Sequence, residues 1–224
     1  METFRRFEKK YLLSTSQYEE LLERIEPFVN ADKFFAADIS SIYYDTDKYE
    51  LIRRSIEKPE YKEKLRVRTY RDAGEQDEVF VEFKKKLDGI VYKRRTKAIC
   101  KEVLDDIDHC SFKDQQVGQE IRYALRYYGK LSPRIYIGCT RTSYVAKDDA
   151  DLRITFDQDL RYRIKDLSLN RSEKDRSITS DTVMELKVKE AMPLWLVRTL
   201  DECRVYPRGF SKVGTAFMQV LKGE

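Results

Sequence analysis

The sequence predicts an α+β fold: an antiparallel β-sheet closed into a barrel, its charged face inward and its apolar face covered by helices. Three observations carry this. Segments of period-two alternation recur along the chain, the turn KKLDGIV sets Asp88-Gly89 between two of them, and the polar faces of neighbouring strands are rich in cations instead of mixed in sign. At 224 residues the chain is expected to form one domain, 1–224, since barrels of this length are often single units.

The elements follow in order. FRRFEKKYLL alternates as a strand, and Ser14-Thr15-Ser16 ahead of QYEELLERIEPFV predicts a capped amphipathic helix ending near Pro27. ISSIYYDT, EKLRVRTYR, EVFVEFKKK and GIVYKRRTKAI are the next strands, the last two forming a hairpin because Gly tolerates positive φ. Gln115 to Tyr128 carries apolar residues at helical intervals and stops before Gly129. RIYIGCTRTSYVA, LRITFDQDLRYRI and TVMELKVKE read as further strands, and Lys165 to Ser180 is the most polar loop, read as the mobile segment. Pro193 opens a helix over PLWLVRTLDECRV, and after Pro207 and Gly209 a last helix, SKVGTAFMQVLKG, begins at Ser211.

Net charge is only +4 although 38% of residues are charged, so basic character is a matter of distribution. Cys100, Cys110, Cys139 and Cys203 form no CxxC pair and His109 is the single histidine. That pattern indicates neither a zinc site nor a disulfide framework and fits a reducing compartment. METFRRFEKK is not followed by an apolar run of signal-peptide length, and no segment approaches the roughly 18 apolar residues of a membrane helix. The expectation is a soluble, cytoplasmic protein.

Residues two apart on a strand share a face. The rule groups Arg66 with Arg68, Glu82 with Lys84 and Lys86, Lys93 with Arg95, Arg153 with Asp157, Glu185 with Lys187 and Lys189, and Glu8 with Lys10. Behind them stand Leu65 and Val67, Val81 and Phe83, Leu186 and Val188. Two like charges ~5 Å apart repel by roughly 3 kcal/mol at an effective dielectric near 20, so such rows need an anion, interspersed carboxylates or solvation. A polyphosphate or nucleoside triphosphate suits them, because Arg offers a planar fork for phosphate oxygens and Lys a compact point charge. Glu185 and Glu82 are candidate ligands for a divalent metal shared with the phosphates. Each also has a second reading, as an internal counter-ion for the lysines. Ser211 and Lys212 open a helix whose N–H groups favour an anion, or else form a plain N-cap. His109 stands away from the basic strands, which argues against a phosphohistidine relay.

The ordered motifs FEKKY, KLRVRTY, VFVEFKKK, YKRR, CTRTSY, LRITFD, VMELKV and FSKVGTAF resemble the VTC domain. That domain is the polyphosphate polymerase of the vacuolar transporter chaperone complex and its bacterial relatives, within the CYTH-like triphosphate tunnel metalloenzymes. The resemblance implies a tunnel of eight antiparallel strands, Mn²⁺ or Mg²⁺, and transfer of the ATP γ-phosphate to growing inorganic polyphosphate. Carried over by motif, Arg66, Arg68, Lys84, Arg153 and Lys212 fall in the catalytic set. Lys10, Lys93, Arg95 and Arg141 fall in the nucleotide- and phosphate-binding set, with Glu185 at the metal; the reading of the residues themselves adds Ser211 to the binding set and Glu82 as a second metal candidate. Many tunnel phosphatases and class IV adenylyl cyclases open with Glu-x-Glu-x-Lys, but here the first Glu is Arg6, in RFEKK. This argues against a triphosphatase of that type. A triphosphatase of the same fold and a non-catalytic polyphosphate-binding module both remain alternatives. The expected partners are ATP and inorganic polyphosphate, and translocation of product would need a membrane partner protein. Nucleic acid is not expected, since Tyr70, Tyr92 and Tyr136 form no obvious stacking platform.

Overall fold

The computed structural model of the chain describes residues 7–57, 59–88 and 90–223. Its elements run β1 (Phe7–Leu13), α1 (Thr15–Ile25), a 3-10 turn (Glu26–Phe28), β2 (Val29–Asp45), α2 (Glu50–Glu57), β3 (Tyr61–Thr69), β4 (Glu78–Leu87) and β5 (Ile90–Ile99). There follow α3 (Cys100–Asp105), α4 (Gln115–Tyr128), β6 (Ser132–Ala146), β7 (Arg153–Arg163), β8 (Arg176–Thr179), β9 (Thr182–Val188), α5 (Leu194–Glu202) and α6 (Lys212–Gly223).

The α+β composition agrees with expectation, but the eight-stranded barrel does not. Among the described residues the sheet has nine strands in the hydrogen-bonded order β1-β9-β7-β6-β2-β3-β4-β5, with β8 on β7, so β1 and β5 end the path and the sheet stays open. Closure requires the first and last strands to pair. Here each outer edge is taken by something else. On β1, Tyr11 forms an isolated bridge with Pro207, and the Arg208 N–H donates to the Lys10 carbonyl at 2.7 Å. On β5, the Lys113 N–H donates to the Lys97 carbonyl at 2.9 Å and the Asp114 N–H to Thr96 Oγ1 at 2.9 Å. Covering an edge with irregular chain is an alternative to closing the sheet.

Backbone contacts divide the chain into two compact units. The first comprises Met1–Asp38, Cys139–Leu160 and Thr179–Phe210, and the second Ile39–Gly138, Arg161–Ile178 and Ser211–Glu224. In the first, Tyr11, Ile154, Phe156, Met184 and Leu186 are buried on one sheet face with Leu21 and Ile25 of α1 and Leu196 and Leu200 of α5. In the second, Leu65, Val67, Val81 and Phe83 are buried with Val103 of α3 and Ile121 and Leu125 of α4. The alternation read from EKLRVRTYR therefore marks a real division: along β3 every second residue from Glu63 to Thr69 is buried, and Lys64, Arg66 and Arg68 between them are half-buried.

Local chemistry explains the helix ends. Ser14 and Gln17 form a capping box: Ser14 Oγ accepts from the Gln17 N–H and Gln17 Oε1 from the Ser14 N–H, at 3.3 and 3.1 Å. α4 starts on Asp114, whose carboxylate accepts from the Val117 N–H at 3.0 Å, and stops at Gly129, where φ is +74°. The sequence reading has no counterpart of α2. Buried Asp45 anchors it, accepting from the backbone N–H groups of Thr46, Leu51 and Ile52 at 2.8, 3.0 and 2.8 Å. Within the polar 165–180 loop the structure sets β8, and Arg163 donates to Asp175, Ser168 and Asn170 across it.

Gly118 gives a test of packing in α4. A Cβ there would lie 2.7 Å from Cδ2 of Phe112, a core ring only 2% exposed. Gly→Ala inside a helix ordinarily gains about 1 kcal/mol, whereas overpacking a core costs about 1–3 kcal/mol. Gly118→Ala is therefore expected to lower the denaturation midpoint, and a higher midpoint would refute this packing argument.

Candidate functional site

In the second unit the strand registers bring the charged residues into rows. Arg66 on β3 faces Tyr43 on β2 and Glu82 on β4, and Glu82 faces Arg95 on β5. One step along, Lys84 lies opposite Lys64 and Lys93, and a further step on Lys86 lies opposite Lys62. One step the other way, Arg68 faces Ser41, and its Nε donates to Ser41 Oγ at 2.9 Å.

Glu82 is the centre of this arrangement and is only 1% exposed. Its Oε2 accepts from Arg66 Nε at 2.7 Å and pairs with Arg66 Nη2 at 2.6 Å, and Arg68 Nε stands 4.0 Å away. Its Oε1 accepts from Arg95 Nε at 2.8 Å and pairs with Lys93 Nζ at 2.9 Å. Four cations thus share one carboxylate. Burial alone would raise the Glu82 pKa, but Arg66, then Arg68 and Lys93, outweigh it and hold the group well below the usual carboxylate range. Arg66 itself is also buried, yet Tyr43 and Glu82 raise its pKa, whereas burial and the Arg66 charge lower that of Arg68. The cluster is preorganised for an anion: its cations are held in place, and more positive charge is gathered than the single carboxylate balances.

α6 begins beside its own cap. Ser211 Oγ accepts from the Gly214 N–H at 3.2 Å and the Ser211 carbonyl from the Thr215 N–H at 2.8 Å, so the plain N-cap reading of Ser211 is realised. Lys212 is the first residue of the helix and is half-buried.

The first unit carries a separate polar face. Lys10 lies opposite Glu185, which lies opposite Thr155, and Glu8 opposite Lys187, which lies opposite Arg153. Lys10 Nζ is 3.3 Å from Glu185 Oε1 and 3.9 Å from Glu8 Oε1. Arg141 on β6 forks onto fully buried Asp157, Nε to Oδ1 at 2.5 Å and Nη2 to Oδ2 at 2.7 Å, and its Nη2 stands 3.8 Å from Glu185 Oε2. Burial would lower the Arg141 pKa, but the bonds and charge of Asp157 raise it. Arg153 is half-exposed and reaches Asp32 Oδ2 at 3.7 Å.

The two metal candidates differ in fit. Both oxygens of Glu82 are engaged by guanidinium and ammonium groups, which would repel a cation, so the residues there do not suit a metal and realise the counter-ion reading. Glu185 stands 3.3 Å from Lys10 Nζ and 3.8 Å from Arg141 Nη2, and Mg²⁺-type sites use one or two carboxylates completed by substrate phosphates. Its carboxylate is the donor type such an ion takes. Among the described residues no three His, Cys, Asp or Glu side chains converge as a ready-made metal site. His109 is exposed and bonds Asp106 at 2.8 Å, and the four cysteines are buried and in no disulfide. Arg6 and Gly89 lie outside the described residues.

Sequence reasoning placed Tyr43 and Tyr70 in strands without giving them a role at the site. Tyr43 accepts from Arg66 Nη1 at 3.0 Å and Tyr70 from Arg95 Nη2 at 2.6 Å. The signal for Tyr43 was present in ISSIYYDT, where period two puts it on the face of Ser41.

The VTC domain is matched over residues 5–221, nearly the whole chain. The chain belongs to the VTC-domain family. Among solved structures this VTC domain is similar to a Bacillus halodurans protein described as a candidate adenylate cyclase, with a TM-score of 0.54 and 13% identity over 91% of this chain and 92% of that one. A Vibrio parahaemolyticus protein described in the same way gives a TM-score of 0.48 and 11% identity, over 94% of this chain and 96% of that one. At 13% identity the likeness to the Bacillus halodurans protein is one of fold. No curated protein matches the chain. Family and fold together place the VTC domain in the triphosphate tunnel metalloenzyme superfamily, with an open sheet in this member. Among the described residues, no helix of this VTC domain is long and apolar enough to cross a membrane.

Proposed function

We propose that this VTC domain is a metal-dependent polyphosphate polymerase that transfers the γ-phosphate of ATP to a growing chain of inorganic polyphosphate. The observation that supports it is the group of four cations on Glu82, in a chain that matches the VTC family over nearly its whole length. Phosphoryl transfer needs positioning and charge neutralisation more than a protein nucleophile. Arg66, Arg68, Lys93 and Arg95 supply both to phosphate oxygens, and Lys84 extends their row. In the first unit Lys10, Arg141 and Arg153 supply cationic groups on the face that carries Glu185. The terminal phosphate of the acceptor is already anionic, so no general base is required. A divalent ion, Mn²⁺ or Mg²⁺, held by Glu185 and phosphate oxygens would supply further charge neutralisation.

Incubation of the purified protein with ATP and Mn²⁺, followed by gel separation, tests the reading. A ladder of polyphosphate is expected. Release of orthophosphate alone would identify a triphosphatase, and no turnover a binding module. Arg66→Ala, Arg153→Ala and Glu185→Ala should each reduce synthesis by at least about 100-fold, the scale seen when one charge-stabilising group is removed from such a site. Undiminished turnover in all three would sink the assignment.

A further inference from the structure

Tyr43 is 7% exposed and lies on β2 directly opposite Arg66. Its hydroxyl oxygen accepts from Arg66 Nη1 at 3.0 Å, and the Arg66 guanidinium carbon stands 5.8 Å from its ring centre. A guanidinium only donates, so this bond leaves the phenol proton dispensable to it. The charges that act on Tyr43 are, in decreasing order, those of Arg66, Lys64 and Arg68, all on β3. Glu82, behind Arg66 on β4, is already shared among four cations. On β2 itself, Asp45 is committed to the backbone of α2. On β6, the other neighbour of β2, Arg134 pairs with Asp47. Burial pushes the phenol up, and the three β3 cations together push it down further, to about 7.

We propose that Tyr43 is the proton-coupled member of the anion site. In the ligand-free protein its phenolate balances part of the cation excess on β3. When a phosphate anion takes over that balance, the phenolate accepts one proton from solvent, and the resulting phenol donates to a phosphate oxygen. Phosphate binding therefore consumes a proton, and the same side chain serves as counter-ion before binding and as hydrogen-bond donor after it. This rests on the phosphate reading given above and adds a proton to it.

The test is calorimetric titration of the full chain with inorganic tripolyphosphate at about pH 7.5, in buffers of different ionisation enthalpy. Tripolyphosphate brings its own protonation, which is common to wild type and variant, so the difference between them isolates the side chain. Wild type should take up more protons than Tyr43→Phe by about half a proton or more, since a group titrating near 7 is mostly ionised at that pH. Equal uptake in the two overturns the proposal. So does loss of the extra uptake in Tyr70→Phe with its retention in Tyr43→Phe, since Tyr70 also accepts from a guanidinium of the cluster. A second readout needs no variant: ultraviolet tyrosinate absorbance of the wild type should rise by one residue's worth between about pH 6 and 8 and be suppressed by saturating tripolyphosphate. A flat titration in that window refutes the idea. No binding heat in the wild type removes the phosphate reading itself, whereas binding with equal uptake removes only the role of Tyr43.

Discussion

Glu82→Gln should lower the stability of the chain by about 3–5 kcal/mol, the cost of removing one partner from a buried ionic group. The carboxylate is 1% exposed and is the shared counter-ion of Arg66, Arg68, Lys93 and Arg95, so its neutral isostere leaves four cations in close quarters. The pH dependence follows from the depressed pKa. A carboxyl held below its unfolded value contributes fully above that value, about 4.3 for glutamate, and loses the contribution as pH falls through the folded one. Wild type should therefore lose stability in acid more steeply than Glu82→Gln. On the proposed function, tripolyphosphate should restore much of the lost stability, because an anion that binds only the folded state stabilises by mass action. Thermal or denaturant unfolding with and without tripolyphosphate measures all three effects, and an unchanged midpoint would show that Glu82 does not neutralise the cluster.

The register that builds this centre was partly legible in the sequence. The Asp88-Gly89 pair in the sequence predicts Leu87 opposite Ile90, the pair that β4 and β5 form, and counting back from it puts Glu82 opposite Arg95. Nothing comparable fixes Arg66 opposite Glu82, because residues 70–77 join β3 to β4 and a connection of that length leaves register open. Face membership of the cations was readable from period two, but their convergence on one carboxylate required the second register. α4 was legible from end to end, since its apolar spacing is long and Gly129 stops it. α2 was not, because eight residues give little periodicity and its anchor, Asp45, lies well before its first turn. The first part of β2 was also hidden: VNADKFFAAD lacks alternation, and most of it is exposed. Closure was misjudged for a related reason. Alternation says which face of a strand is apolar and nothing about whether its edge finds a strand, and the edges of β1 and β5 are covered by residues 207–208 and 113–114, remote from any strand pattern.

Arg141→Ala should be comparably damaging in the first unit, again by about 3–5 kcal/mol, because it leaves Asp157 buried without its fork. The informative comparison is with Arg141→Lys. The motif CTRTSY suggested Arg141 as a phosphate ligand, but its Nε and one Nη are committed to Asp157. A lysine keeps the charge near Glu185 and cannot reproduce a two-point bond. If Arg141 mainly holds Asp157, Arg141→Lys should lose stability while its tripolyphosphate affinity changes by less than about threefold, under 1 kcal/mol. If Arg141 mainly binds phosphate, affinity should fall by more than about tenfold with little change in the unfolding midpoint. The geometry favours the first outcome: a guanidinium that already bridges two oxygens of a buried carboxylate would have to break charge-assisted bonds to offer the same nitrogens to a ligand. A double variant, Arg141→Met with Asp157→Leu, should then recover part of the stability lost in Arg141→Ala, because replacing both members of a buried pair avoids burying the carboxylate without its two-point bond.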